Sequence, residues 1–455
     1  MRTTTSALIL ALGTNCAAQT MLLPNRVADI NPSGASDPWD LTVAGANADQ
    51  LIFACGNGIA DGPDRRVHIA RLNANTGAVD MINTTAGYQQ LIAAGGDHLY
   101  FSLMDPPLLG PGFDALNAAV RWTRLSTTTS TTFPTAQVRG VYGNNGIVFG
   151  DKAIVRGIHS DANPRPFVVD PLSNSASLLQ LIGAEAYGSA SCEFTLHAGK
   201  VYFPGRSNNG IELHVTDGTA QGTMLVKDIM PLAGRSEPKE LYSAGSRLYF
   251  SAKDSANDFE PWYTNGTSAG TVKLKQINPT GALGSDPRDF IALGNKVLFT
   301  ANNGVNGREL WVTDGTTAGT TLVKDLKPGT TSSDPELLVL FGSKVWFVAS
   351  DGLTLTRNLY ATDGTSAGTV RMASAPRGST IHDLVPCNRR LFYVTRATGT
   401  SKLWSIDATK TIREVKPAAS LNADPIGRTS MAVMKDWLYF SGNFDNTGAE
   451  LWKVQ

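Results

Sequence analysis

The chain has 455 residues, with 39 Lys and Arg against 39 Asp and Glu, so its formal net charge is zero. That balance excludes a global field for nucleic acid, and no basic run marks a membrane surface. Hydrophobic residues at 42% and charged residues at 17% exclude wholesale disorder, and 45 Gly and 23 Pro beside abundant Thr, Ser, Asn and Asp are the composition of many short strands joined by turns.

From the N-terminus, Arg2, the apolar run Ser6–Gly13 and the small pair Ala17-Ala18 read as a Sec-type secretory signal over residues 1–18. A lipoprotein signal is the rival reading, because Cys16 follows the apolar run, but Asn15 directly before it fits poorly. The run is too short to span a bilayer, and no transmembrane segment is expected later. Past the signal stand Cys55, Cys192 and Cys387, an odd and widely spaced set that reads as small buried residues rather than a disulfide framework.

A short apolar run ending in an aromatic then recurs along the chain. The markers are Phe53, Phe101, Phe149, Phe203, Phe250, Phe299, Phe347, Tyr393 and Phe440, at spacings of 48, 48, 54, 47, 49, 48, 46 and 47. This period lies in the range of propeller blades. Residues 286–327 parse into four strands, Phe290–Leu293, Lys296–Thr300, Glu309–Thr313 and Thr320–Asp325, all rich in β-branched and aromatic residues and without helical periodicity. The predicted fold is therefore all-β, a single β-propeller of about nine four-stranded blades, with eight as the alternative if residues 103–190 parse differently. Blades are expected to start near residues 39, 88, 137, 191, 238, 287, 335, 382 and 428 of a domain spanning 19–455. The last repeat stops after its third strand, and residues 21–38 resemble the fourth strand and exit of an internal repeat. A closing strand at 22–30 would complete the last blade and remove two open sheet edges.

Between the third and fourth strands the chain reverses at Asp217-Gly218, Asn265-Gly266, Asp314-Gly315 and Asp363-Gly364. The acid or amide can bond backbone two residues on and Gly supplies a positive φ, so Asp217, Asn265, Asp314 and Asp363 read as structural turns rather than catalytic acids. The Asn turn is expected to survive because Asn, too, tolerates positive φ.

These segments resemble the ELWxxDGT family of secreted bacterial repeat proteins. Glu309-Leu310-Trp311 with Asp314-Gly315-Thr316 matches the motif fully. Glu212-Leu213 with Asp217-Gly218-Thr219 has His214 in place of Trp, Glu260 and Trp262 flank Pro261 ahead of Asn265, and Tyr360 stands for Trp before Asp363. Glu450-Leu451-Trp452 matches without a turn after it, and blades one to three lack the turn. The resemblance implies a secreted or surface propeller and no particular activity.

Acids precede the first strands at Asp37, Glu237, Asp286, Asp334 and Asp424, each followed by Pro. A ring of carboxylates at the channel mouth would bind Ca²⁺ or a cationic ligand. The favoured reading is a turn device, the acid bonding local backbone N–H groups. The Glu of ELW (Glu212, Glu260, Glu309, Glu450) is expected to pair with Lys or Arg of the next strand. His68, His98, His159, His197, His214 and His382 never come in close pairs, and no metal-ligand spacing, nucleophile elbow or phosphate loop appears. Glu185 with Glu193, and His382 with Asp383, stand no higher than background as catalytic pairs. No catalytic residue, metal or cofactor is expected, Ca²⁺ at the acid ring aside. Residues 103–118, long, apolar and rich in Pro and Gly, are a candidate contact loop. The function expected is a non-enzymatic binding or scaffold module, a monomer taking a protein or glycan partner. The alternatives are a carbohydrate-active hydrolase or lyase, or a multivalent lectin.

Overall fold

The computed structural model describes residues 25–28, 39–44, 49–56, 67–82, 88–95, 97–104, 119–125, 131–133, 146–158, 164–179, 194–231, 234–255, 258–279, 284–353, 356–416, 431–444 and 449–455. Every element among them is a β-strand, and the strands form nine four-stranded antiparallel sheets. The protein is a nine-bladed β-propeller.

Blades one to three are built from Trp39–Ala44, Gln50–Gly56, Val67–Asn73 and Val79–Met81, from Tyr88–Gly95, His98–Met104, Ala119–Arg124 and Thr131–Thr132, and from Gly146–Phe149, Lys152–Ile158, Pro164–Asp170 and Ser175–Leu178. Blade four uses Thr195–His197, Lys200–Ser207, Gly210–Thr216 and Met224–Lys227, and blade five Lys239–Ala244, Arg247–Lys253, Phe259–Thr264 and Val272–Lys273. Blade six runs through Arg288–Leu293, Lys296–Asn302, Arg308–Thr313 and Thr321–Lys324, and blade seven through Glu336–Phe341, Lys344–Ala349, Asn358–Thr362 and Val370–Ser374. Thr380–Cys387, Arg390–Ala397, Thr400–Asp407 and Ile412–Val415 make blade eight. Blade nine takes Met431–Met434, Trp437–Gly442 and Glu450–Val454 from the C-terminal end, and its outer strand is Asn25–Ala28, antiparallel to Glu450–Val454. The expected closure by an N-terminal strand is thus present.

Why such short strands hold together is visible in blade six. Side chains alternate across the sheet. Val297, Phe299 and Ala301 pack with Tyr249, Leu274 and Phe290 toward blade five, while Leu298 and Leu310 pack with Val345 and Phe347 toward blade seven. Both faces are buried, so the central strands read as unbroken apolar runs. The same division repeats around the ring: nine apolar clusters each bridge two successive blades, including nine to one through Leu41, Leu51, Tyr439 and Leu451. Fully burying one marker Phe contributes about 1.5–3 kcal/mol. The first strands of successive blades lie against one another and form the inner wall.

Eight of the nine markers are buried in second strands, but Phe149 ends the first strand of blade three and is only half-buried. Register pairs Phe149 with Lys152 as Leu293 pairs with Lys296, which places Val155 where Phe299 stands. The spacings are therefore 54 from Phe101 to Val155 and 48 from Val155 to Phe203, so the longer repeat lies one blade earlier than the aromatic pattern indicates. The first strand of this blade is Gly146–Phe149, later than the expected start near 137. An aromatic that ends a neighbouring strand imitated the marker while the marker itself had become a β-branched residue.

Candidate functional site

The repeat's polar residues resolve into four devices. The first is the Asp-Gly turn. The Oδ1 of Asp314 accepts both the N–H of Thr316 at 2.9 Å and its hydroxyl at 2.7 Å, Thr316 Oγ1 accepts the N–H of Gly319 at 2.9 Å, and the Thr313 and Thr320 hydroxyls meet at 2.8 Å across the hairpin base. Asp217 and Asp363 repeat these bonds. In all three the bonds from Thr hold the carboxyl below its ordinary range. Asn265 keeps the turn through its Oδ1, which accepts the N–H of Thr267 at 3.1 Å. Its φ is not the reason, because Gly266, at +89°, carries the left-handed conformation. Gly315, at +87°, also seats the neighbouring blade: a Cβ there would collide with the Arg247 guanidinium.

The second device corrects an expectation. Glu212, Glu260 and Glu309 do not pair with Lys or Arg; they are fully buried and reach the connector into the next blade. Glu309 accepts the N–H of Leu326 at 3.2 Å, the N–H of Ser333 at 3.0 Å and the Ser333 hydroxyl at 2.5 Å. Glu212 does the same with Ile229 and Ser236, and Glu260 with Ile277, Asn278 and Ser285. A long flexible cation would have to be desolvated there, whereas backbone N–H groups are already present and need an acceptor. Burial raises the carboxyls of Glu212 and Glu309 to about 7, against the hydrogen bonds that lower them, and raises Glu260 as well. Glu450 is also buried. Sequence reasoning missed this clamp, whose signal is a Ser ahead of Asp/Glu-Pro some 24 or 25 residues after each Glu.

Third, the Lys after the fourth-strand Val or Leu crosses to the next blade. Lys227, Lys275 and Lys324 donate to the carbonyls of Thr271, Thr320 and Thr369 at 2.8, 2.6 and 3.1 Å.

The fourth device is the acid before each first strand. Glu237, Asp286 and Asp334 sit at φ of 45–46°, the left-handed region. The Asp286 carboxylate does not bond local N–H groups as the favoured reading had it; it joins Lys239 of blade five at 2.7 Å to Arg288 and Arg308 of blade six at 2.5 and 2.8 Å. Burial opposes its ionisation, but Lys239 and Arg288 outweigh that and hold it below the ordinary range. Glu237 pairs with Lys253 at 3.2 Å, and the Arg357 guanidinium donates to the Asp334 carbonyl. Asp37 and Asp424 lie outside the described residues, as do Glu185, Glu193, Cys16, Cys192 and 105–118 of the candidate loop. Among the described residues no three His, Cys, Asp or Glu come together as a metal-holding group. The His382 ring meets the Thr380 hydroxyl at 2.7 Å. Cys387 is a buried free thiol that burial pushes up to about 11, far from a nucleophile's range.

No known family model and no curated protein matches the chain. Among solved structures it is similar to the β-propeller domain of the Trilobed protease from Pyrococcus furiosus, at 12% identity and a TM-score of 0.38 over 82% of this chain and 93% of that one. It is also similar to Saccharomyces cerevisiae Sqt1, at 10% and 0.42 over 96% and 99%. A prolyl endopeptidase matches at 10% and 0.42 over 77% of this chain and 53% of its own, so the chain spans about half that enzyme's length. No helix among the described residues is long and apolar enough to cross a membrane.

Proposed function

We infer that the protein is a secreted, non-enzymatic ring that serves as a binding or scaffold module. The observation that carries this reading is the use of the repeat's reactive side chains. The Asp of each turn, the Glu of each clamp, the Lys of each latch and the acid at Asp286 are all engaged in joining strand to strand or blade to blade. The loops between second and third strands are different. Val305 in blade six and Leu353 in blade seven occupy this loop in neighbouring blades and are 66% and 86% exposed. The candidate contact segment 103–118 begins within the second strand of blade two, His98–Met104, and its remainder lies outside the described residues. Large apolar side chains held in water on loops of a rigid ring support contact with a partner. The signal-like N-terminus and the ELWxxDGT resemblance support export.

The test is a thermal-shift screen of residues 19–455 against Ca²⁺, EDTA and oligosaccharides, run beside hydrolase and lyase turnover assays on the same sugars. A ligand that binds only the folded state at a hundredfold excess over Kd adds about 2.7 kcal/mol of stability. Stabilisation without turnover supports a binding module, and turnover on any sugar overturns the non-enzymatic reading. Recovery of the full-length chain in the cytoplasm with residues 1–18 retained overturns export.

A further inference from the structure

Glu212, Glu260 and Glu309 occupy one station in three successive blades, so their clamps lie at the junctions four–five, five–six and six–seven. Each carboxyl is wholly excluded from solvent. Each ties a third strand to the segment after the fourth strand and, through a Ser hydroxyl at 2.5 Å, to the connector into the next blade. The surroundings supply hydrogen-bond donors but little compensating charge. Around Glu309 stands the Asp325 carboxylate, a like charge, while the adjacent Arg308 is turned to Asp286. Around Glu260 stand the Asp258 carboxylate and the Gln276 amide, whose Nε2 donates at 3.1 Å. Glu212 meets the N–H groups of Ile229, Met230 and Ser236 and the Ser236 hydroxyl, all neutral. Ionising such a carboxyl places a charge in a poorly solvated site.

We propose that this row of buried carboxyls is a pH-responsive hinge, tight when the three are protonated and weakened together, across the arc from blade four to blade seven, when they ionise. A Glu309 protonated on Oε2 keeps Oε1 for the N–H of Ser333 and can give its proton to the Ser333 hydroxyl, so two of the three clamp contacts hold without charge while the bond from the Leu326 N–H weakens. The sense of the response follows from linkage. Glu212 and Glu309 titrate near 7 in the fold and near 4.5 when ordinary, so the native state retains protons that the unfolded chain releases. Their contribution is full below pH 4.5 and is lost as the pH rises through about 7.

Urea unfolding of residues 19–455 from pH 5 to pH 9 tests this, comparing the wild type with E212Q/E260Q/E309Q. Between pH 4.5 and about 7, Glu212 and Glu309 each lower the folding equilibrium constant about tenfold per pH unit, and Glu260 acts in the same direction. The wild-type midpoint is therefore expected to fall from pH 5 to pH 8 and that of the triple variant to fall much less. Curves that run parallel overturn the proposal. Infrared spectra of the folded wild type give a readout that survives a poorly folding variant. A protonated-carboxyl band present at pH 6 and lost at pH 9 supports the hinge, and absence of that band at pH 6 overturns it.

Discussion

Blades six and eight differ at one station, and the difference explains what the repeat is for. Blade six places Glu309 there, fully buried on Ser333. Blade eight places Lys402 at the same register, opposite Thr395 as Glu309 is opposite Ala301; it is exposed and reaches Glu414 at 3.4 Å on its own sheet. The change is not isolated. Where Glu is present, at 212, 260, 309 and 450, the following connector carries Ser ahead of Asp/Glu-Pro: Ser236, Ser285, Ser333 and Ser36. Lys402 is followed by Ala423-Asp424-Pro425, and Asn358 of blade seven by Ser379-Thr380, with no acid-Pro pair. Clamp and connector are lost together, since either half alone leaves buried polar groups without partners. Yet blades seven and eight still share the apolar cluster of Trp346, Leu359, Leu391 and Tyr393. Apolar burial makes the junction, and the clamp fixes the path of the connector.

This comparison can be broken in steps. Phe299→Ala removes the filling common to every junction and should cost about 3–5 kcal/mol, seen as a large fall in the urea midpoint. Glu309→Ala should cost roughly 2–4 kcal/mol, because the N–H groups of Leu326 and Ser333 lose their acceptor at about 1–3 kcal/mol each. Gly315→Ala forces a side chain into the left-handed region for about 1–2 kcal/mol and displaces Arg247 from its seat 4.4 Å from the Tyr263 ring centre. Lys402→Ala should stay within about 0.5 kcal/mol, as an exposed pair does. A loss at Lys402 equal to that at Glu309 would remove the distinction between the two blades.

The architecture was legible because its cause is repetitive. An aromatic or apolar residue must meet the neighbouring blade at a fixed place in every repeat, and this shows as a period in the chain. It failed where one residue departed from type, at Val155, and a nearby Phe149 took the mark. The turns were legible because they are local, with Asp314 accepting from Thr316 two residues on and Thr316 accepting from Gly319 three residues further. The clamps and the Lys239 arm of the Asp286 bridge were not, because those partners lie 17 to 47 residues away, past the fourth strand or in another blade. A carboxylate in sequence invites a cation as partner, and only the fold reveals that unpaired backbone N–H groups surround Glu309 instead.

The strand Asn25–Ala28 closes blade nine against Glu450–Val454, with Asn25 opposite Lys453, 428 positions later. At about 5–20 residues per second of synthesis, on the order of 20–90 s separates the birth of the two partners. During that interval the strand Asn25–Ala28 lacks its partner, while the middle blades can already stack on one another. Closure is therefore a meeting of two strands made far apart in time, and a ribosome that stalls short of residue 450 leaves an open arc with two unsatisfied edges rather than a smaller ring.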